Sequence, residues 1–224
     1  MKFYLIFTIF IFFIPMKSFA VDNKKYCDFG NNSTKIYLLQ RKIKDEESKA
    51  EFINLFQEKF QALAPGDRLT LSTFSGSGKN DAIDGCLPEC PKVGFFQGLT
   101  SSCLAPQADR DKKNWASKIK KQLRNILRKE SNGNIFKELN NIQLDIEKSS
   151  DYDEHYIVGS MIPDNMDGFS KDEFDRSFVK AIQSNLLSED LPDMDYCAVK
   201  NNSELMSFWE DIYSIKDQSF NVGC

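Results

Sequence analysis

The chain has 224 residues, 29 Lys and Arg against 33 Asp and Glu, a formal net charge of −4 and a single histidine. Its acidic and basic residues are interspersed, which excludes a nucleic-acid footprint, and its length suits one domain able to bury a real core.

The first twenty residues stand apart from the fold. Lys2 supplies a positive start, Phe3 to Pro15 is an apolar run broken by one Thr, and Ser18-Phe19-Ala20 has the small-x-small pattern after which signal peptidases cut. The run is shorter than the roughly twenty residues that a bilayer span needs. Residues 1–20 therefore read as a signal peptide, and residues 21–224 as a single periplasmic or secreted domain with no stable membrane span after cleavage.

All six cysteines, Cys27, Cys86, Cys90, Cys103, Cys197 and Cys224, follow the expected cut. An even number in an oxidising compartment predicts disulfides, with connectivity left open. Zinc is not expected, because the only histidine is His155 and no Cys-x2-Cys repeat accompanies Cys86 and Cys90.

Strand and helix signals then alternate. Lys35 to Leu39 is a compact apolar run after the turn-rich Gly30 to Ser33, as expected of a strand buried on both faces. Asp45 to Leu63 places Ala50, Phe52, Ile53, Phe56, Phe60 and Leu63 at helical spacing, with acidic residues at its start, and Pro65-Gly66 ends it. Arg68 to Phe74 is the second strand, and the Ser75 to Gly78 turn leads back into a short strand near Ala82 to Asp84. Residues 85–108 read as an irregular, Cys-rich loop.

Helical patterning resumes after Asp109, where Trp115, Ile119, Leu123, Ile126 and Leu127 form an apolar stripe flanked by solvated Lys and Arg. Ile135, Leu139, Ile142 and Ile146 form a further helix, Tyr156 to Ile162 a strand, and Phe174, Phe178, Ile182 and Leu186 another helix. Asp195 to Val199 is read as the last strand and Leu205, Phe208, Trp209 and Ile212 as the closing helix. Such alternation predicts an α/β fold with a mostly parallel sheet covered by helices.

The block Pro65 to Ser75, the first strand at Ile36 to Leu39, the small-residue turn before the Asn134-Ile135 helix and the strand near Tyr156 resemble the von Willebrand factor A family. Gly85 to Pro91 and Ser207 to Glu210 are similar to a group of exported bacterial proteins with A-like domains. The resemblance covers nearly all of the chain after the leader. It implies a three-layer α/β/α, Rossmann-like fold around a mostly parallel central sheet.

The resemblance also implies where a metal would sit, and there the residues depart from the family. Typical members hold a divalent ion with Asp-x-Ser-x-Ser after the first strand, a Thr before a later helix and an Asp after the fourth strand. By position, Gln40, Lys42 and Lys44 stand in the first motif, Gly133 or a neighbour replaces the Thr, and Ser160 stands near the Asp. Lysines repel a cation that wants oxygen donors, so no family-type metal and no cofactor is expected. Gln40, Lys42, Ser160 and Asp164 remain the candidate binding edge, where ligands of open α/β sheets sit.

Other motifs lose force on spacing. In Asn165 to Glu173 a calcium loop centred on Gly168 would begin at Pro163 and end at Phe174, where a bidentate Glu is required. Gly76-Ser77-Gly78-Lys79 lacks phosphate-loop spacing, so Lys79 reads as a solvated turn residue. His155 lies at the start of a strand without a matched nucleophile motif and reads as a surface histidine, so no catalytic residue and no enzyme is expected. The functional expectation is an exported, metal-independent protein-interaction module with partners in the cell envelope or outside it, of the kind that serves in an envelope or secretion assembly. The alternative is a metal-dependent binder or hydrolase using Asp164, Asp167 and Asp172.

Overall fold

The computed structural model describes residues 23–39, 46–75, 78–92, 103–128, 134–149, 151–159, 170, 172, 175–176, 195–198, 203–215 and 221–222. Six strands form one sheet: β1 (Ser33–Leu39), β2 (Arg68–Ser75), β3 (Gly78–Cys86), β4 (Glu154–Gly159), β5 (Asp195–Ala198) and β6 (Asn221–Val222). Their order is β3-β2-β1-β4-β5-β6. Every neighbouring pair is parallel except β2 with β3, which return on each other as a hairpin in which Ser75 pairs with Gly78. Among the described residues, four α-helices accompany the sheet: α1 (Glu46–Ala62), α2 (Ala105–Ile126), α3 (Ile135–Lys148) and α4 (Ser203–Ile215). A 3-10 helix, Asn23–Phe29, precedes β1.

The alternation of side chains along β1 separates two chemistries. Ile36 and Leu38 enter an apolar core with Leu69, Leu71, Ile83 and Val158 of the neighbouring strands, closed by Phe52 and Phe56 of α1 and Trp115, Ile119 and Leu123 of α2. The intervening residues Lys35 and Tyr37 lie on the other face and meet Asp145 of α3. Both sets are buried, which is why the strand reads as continuous rather than alternating.

The Pro65-Gly66-Asp67 turn joins three elements. Gly66 has φ +83°, and a Cβ there would lie 2.4 Å from Gly30 N and 2.6 Å from Tyr26 O. Only glycine fits this close crossing of two backbones. Asp67, 3 % exposed, accepts from Asn31 N (3.2 Å), Asn32 N (3.1 Å) and Ala64 N (2.9 Å), tying the end of α1 to the approach to β1. Its backbone exchanges with β3's exit through Leu87 N, 2.9 Å from Asp67 O. Asn134 caps α3 by accepting from Lys137 N at 3.2 Å.

Among the described residues, two disulfides are formed. Cys27 pairs with Cys86, fastening the 3-10 helix to the end of β3, and Cys90 pairs with Cys103 across the connection to α2. Cys197 lies on β5, while its side chain and Cys224 fall outside the described residues. β3 extends through Cys86 and α2 begins at Ala105, so regular structure intrudes at both ends of the stretch expected to be a loop at 85–108. Helix α2 also starts ahead of Asp109, with Pro106 in its first turn. The two-residue β6 carried no periodic signal and was not expected. The helix expected from Phe174 to Leu186 lies almost wholly outside the described residues. Among the described residues, no helix is long and apolar enough to cross a membrane.

Candidate functional site

The strand order places a switch point between β1 and β4. From β1 the chain builds outward through β2 and β3, then restarts on the opposite side with β4. At such a point the connections leave the carboxyl ends of two adjacent strands in opposite directions and open a crevice. Leu39 and Gly159, the last residues of β1 and β4, are paired there in register. Gly159 has φ +146°, and a Cβ on it would lie 2.7 Å from Leu39 O, so the two strand ends approach more closely than a side chain allows.

Gln40 and Ser160 directly follow these two residues in sequence. Gln40, Lys42, Ser160 and Asp164 all lie outside the described residues, as do Asp164 and Asp167 of the alternative acidic set; Asp172 is described and exposed. The described frame thus brings the two strand ends of the candidate edge together without fixing its side chains.

The described polar cluster lies deeper, between the sheet and α3. Asp145 Oδ2 is 2.6 Å from Lys35 Nζ and accepts from Tyr37 OH at 3.0 Å, while its Oδ1 takes Lys79 Nζ at 2.7 Å. Burial opposes the Asp145 charge, but hydrogen bonds from Lys35 and Lys79 outweigh it and hold the carboxyl below its ordinary range. Burial lowers the Lys35 pKa, with Asp145 acting against that shift. The Lys35 ammonium also donates to Ser149 Oγ at 3.1 Å and sits 4.7 Å from the Tyr152 ring centroid. Burial raises the Tyr37 hydroxyl well above the usual tyrosine range, so it remains a donor.

The cluster continues across β2 and β3. Thr70 Oγ1 lies 2.8 Å from Tyr152 OH and donates to Asp84 Oδ1 at 2.9 Å, which also takes Arg68 Nε at 3.0 Å. Ser72 donates to Asp81, and Lys79 Nζ is 3.3 Å from the same carboxylate. On β1 and β2 the pleat sends these alternate side chains to the face opposite Ile36 and Leu38, and on β3 a register shift opposite Leu71 and Ser72 lets Asp84 and Asp81, three residues apart, pair with Thr70 and Ser72.

Two expectations are corrected by this layer. Lys79 is not a solvated turn residue but a β3 residue paired with Asp145 and Asp81, its side chain 29 % exposed. His155 is not a bare surface histidine: it is half-buried, its ring stacks on Tyr37 at 6.0 Å, and burial followed by the nearby Lys35 lowers its pKa. Sequence reasoning missed the cluster because Lys35 was counted within an apolar run and Asp145 within a helix. The available signal was Lys35 itself, a charge inside a strand with both faces covered, which demands a buried counter-ion.

Chemically, the cluster is an ion-paired fastening. Lys35 is 2 % exposed and faces a carboxylate, so it presents no amine to a substrate. No protein-family model and no curated protein sequence matches this chain.

Proposed function

We infer that the chain is an exported protein-interaction module with a three-layer von Willebrand factor A-like fold, and that it binds protein partners in the cell envelope or extracellular space at the carboxyl edge of its sheet. The observation that carries this reading is the strand order β3-β2-β1-β4-β5-β6 with β3 alone antiparallel, which puts a switch point at Leu39 and Gly159. Loops leaving a switch point are the usual place for recognition in open α/β sheets. Export is supported by the leader-like residues 1–20 and by the two disulfides, which persist in oxidising compartments. Metal-independence rests on the sequence, where Gln40, Lys42 and Lys44 occupy the positions at which the family places carboxylate and hydroxyl ligands.

The test is affinity capture from the envelope fraction with the wild-type protein and with a Gln40→Arg/Ser160→Arg variant. A partner recovered by the wild type and lost by the variant supports the reading. Calorimetry with Ca2+ and Mg2+ supplies the opposing outcome: saturable binding abolished by Asp167→Ala overturns metal-independence.

A further inference from the structure

A second surface lies between two helices, and its lining shares no residue with the candidate edge. Helices α1 and α2 leave a groove of about 430 Å3 between them. Its apolar lining includes Ile53 and Phe60 on one side and Ile119 and Leu123 on the other, and its polar residues are Gln57, Lys120 and Arg124. Among the described residues, no carboxylate lines it. The Phe60 ring meets Trp115 in a tilted contact at 5.5 Å between centroids, so the floor belongs to the packed core and is not a loose flap.

Charge distinguishes this groove from an ordinary seam between helices. Lys113, Lys120 and Arg124 follow one another at i, i+7 and i+11, which sets them along one side of α2, and all three are exposed. None of the three has an ion-pair partner among the described residues, a property they share with the exposed Lys118 and Lys121 of the same helix, but of these cations only Lys120 and Arg124 are among the residues that line the groove. Lys120 and Arg124 therefore give one side of the groove a cationic lip on a chain whose net charge is −4. Its lining runs along α2 from Ala116 to Leu127. At 1.5 Å per residue that is roughly 17 Å, about three helical turns.

We propose that the α1–α2 groove docks an amphipathic helix of a partner protein, with apolar residues seated between Phe60 and Leu123 and a row of Glu or Asp facing Lys120 and Arg124. Helix-in-groove recognition needs an elongated apolar trough that accepts anchors at i, i+3 or i+4 and i+7. The lip then sets polarity and register, because an acidic row is attracted and a basic row repelled. This rests on the interaction-module reading and assigns it a second surface and a partner chemistry.

The experiment uses two fluorescein-labelled helical peptides with the same leucine face, one carrying a Glu row and the other a Lys row. Each is titrated with the full exported protein by fluorescence anisotropy. The Glu peptide is expected to bind on the order of tenfold or more tighter than the Lys peptide, with the difference shrinking as salt is raised. The variant K120E/R124E, both sites exposed, is expected to keep the wild-type melting temperature and invert the preference. Equal binding of the two peptides, no binding, or an unchanged preference in K120E/R124E overturns the proposal. So does binding of dodecanoate or of phosphatidylglycerol vesicles at the groove without binding of either peptide. If envelope capture returns the same partner with the wild type and K120E/R124E, the groove assignment fails while the interaction reading stands. If neither captures a partner and neither peptide binds, both fail.

Discussion

Lys35 on β1 and Asp145 on α3 form a 2.6 Å ion pair whose lysine side chain is 3 % exposed and whose carboxylate is 14 % exposed. It joins an interior position of the sheet to the last turns of a helix more than a hundred residues away. Removing one partner leaves the other charge buried, which costs more than the pair contributes. Asp145→Ala is expected to destabilise the fold by about 3–5 kcal/mol in urea unfolding at neutral pH. The double variant Lys35→Met/Asp145→Leu should recover part of that loss, since it leaves no buried Lys35 charge, while the Tyr37 hydroxyl and Lys79 still lose Asp145 as a partner. A double variant as unstable as the single one would show that the pair has a different role.

Asp67 should behave as a backbone clamp. Its carboxylate accepts from Asn31 N, Asn32 N and Ala64 N, so Asp67→Ala strands partly buried donors. An expected loss of about 2–3 kcal/mol follows from donors left unsatisfied. Asp67→Asn, which keeps one acceptor oxygen, should lose less, and the ranking is read from denaturation midpoints at constant m-value.

Acid sensitivity has an identifiable contributor in Asp111. Burial favours its neutral form, but hydrogen bonds from Lys25, Gln107 and Tyr26 outweigh that and pull its pKa from 3.8 to about 2. A carboxyl depressed in the folded state contributes stability that is fully present above the unfolded value and is lost as pH falls through the folded one. The window therefore runs from about pH 4 down to about pH 2, and the contribution is on the order of 1–2 kcal/mol because Lys25 is half exposed and screened. The stability gap between wild type and Asp111→Asn should narrow across that window. A gap constant with pH would remove Asp111 from the account.

The two disulfides should differ in weight. Cys27 and Cys86 are 59 residues apart in sequence, Cys90 and Cys103 only 13. Loop-closure entropy assigns roughly 4 kcal/mol to the longer bridge and roughly 3 kcal/mol to the shorter. Cys27→Ser/Cys86→Ser should lower the melting temperature more than Cys90→Ser/Cys103→Ser. The difference widens if the longer bridge also anchors Tyr26, whose hydroxyl donates to Asp111 at 2.8 Å.

Much of the scaffold is legible in the residues. The apolar run at Lys35 to Leu39 and the helical spacing of Phe52 and Phe56 correspond to β1 and α1, because burial on one or two faces imposes a period that the sequence must carry. β3 was expected to be short, around Ala82 to Asp84, but runs from Gly78 to Cys86. Its outward residues are polar and are stabilised by cross-strand partners such as Ser72 with Asp81 and Thr70 with Asp84, which local periodicity does not register. The strands β1 and β4, whose ends meet at Leu39 and Gly159, were legible as apolar runs. The polar layer was not, because its members Lys35, Lys79, Asp145 and Tyr152 come from four separate segments.

The sequence by itself determined an α/β alternation and the absence of carboxylates at Gln40, Lys42 and Lys44, which follow the first strand. Those properties are local: they depend on which residue follows which. Only the tertiary structure decided that Cys27 pairs with Cys86, that Lys35 is neutralised by Asp145, and that an unpaired cationic row on α2 borders an apolar groove. Pairing, burial and groove shape depend on distances between segments remote in the chain, and those distances exist only once the sheet and its helices are assembled.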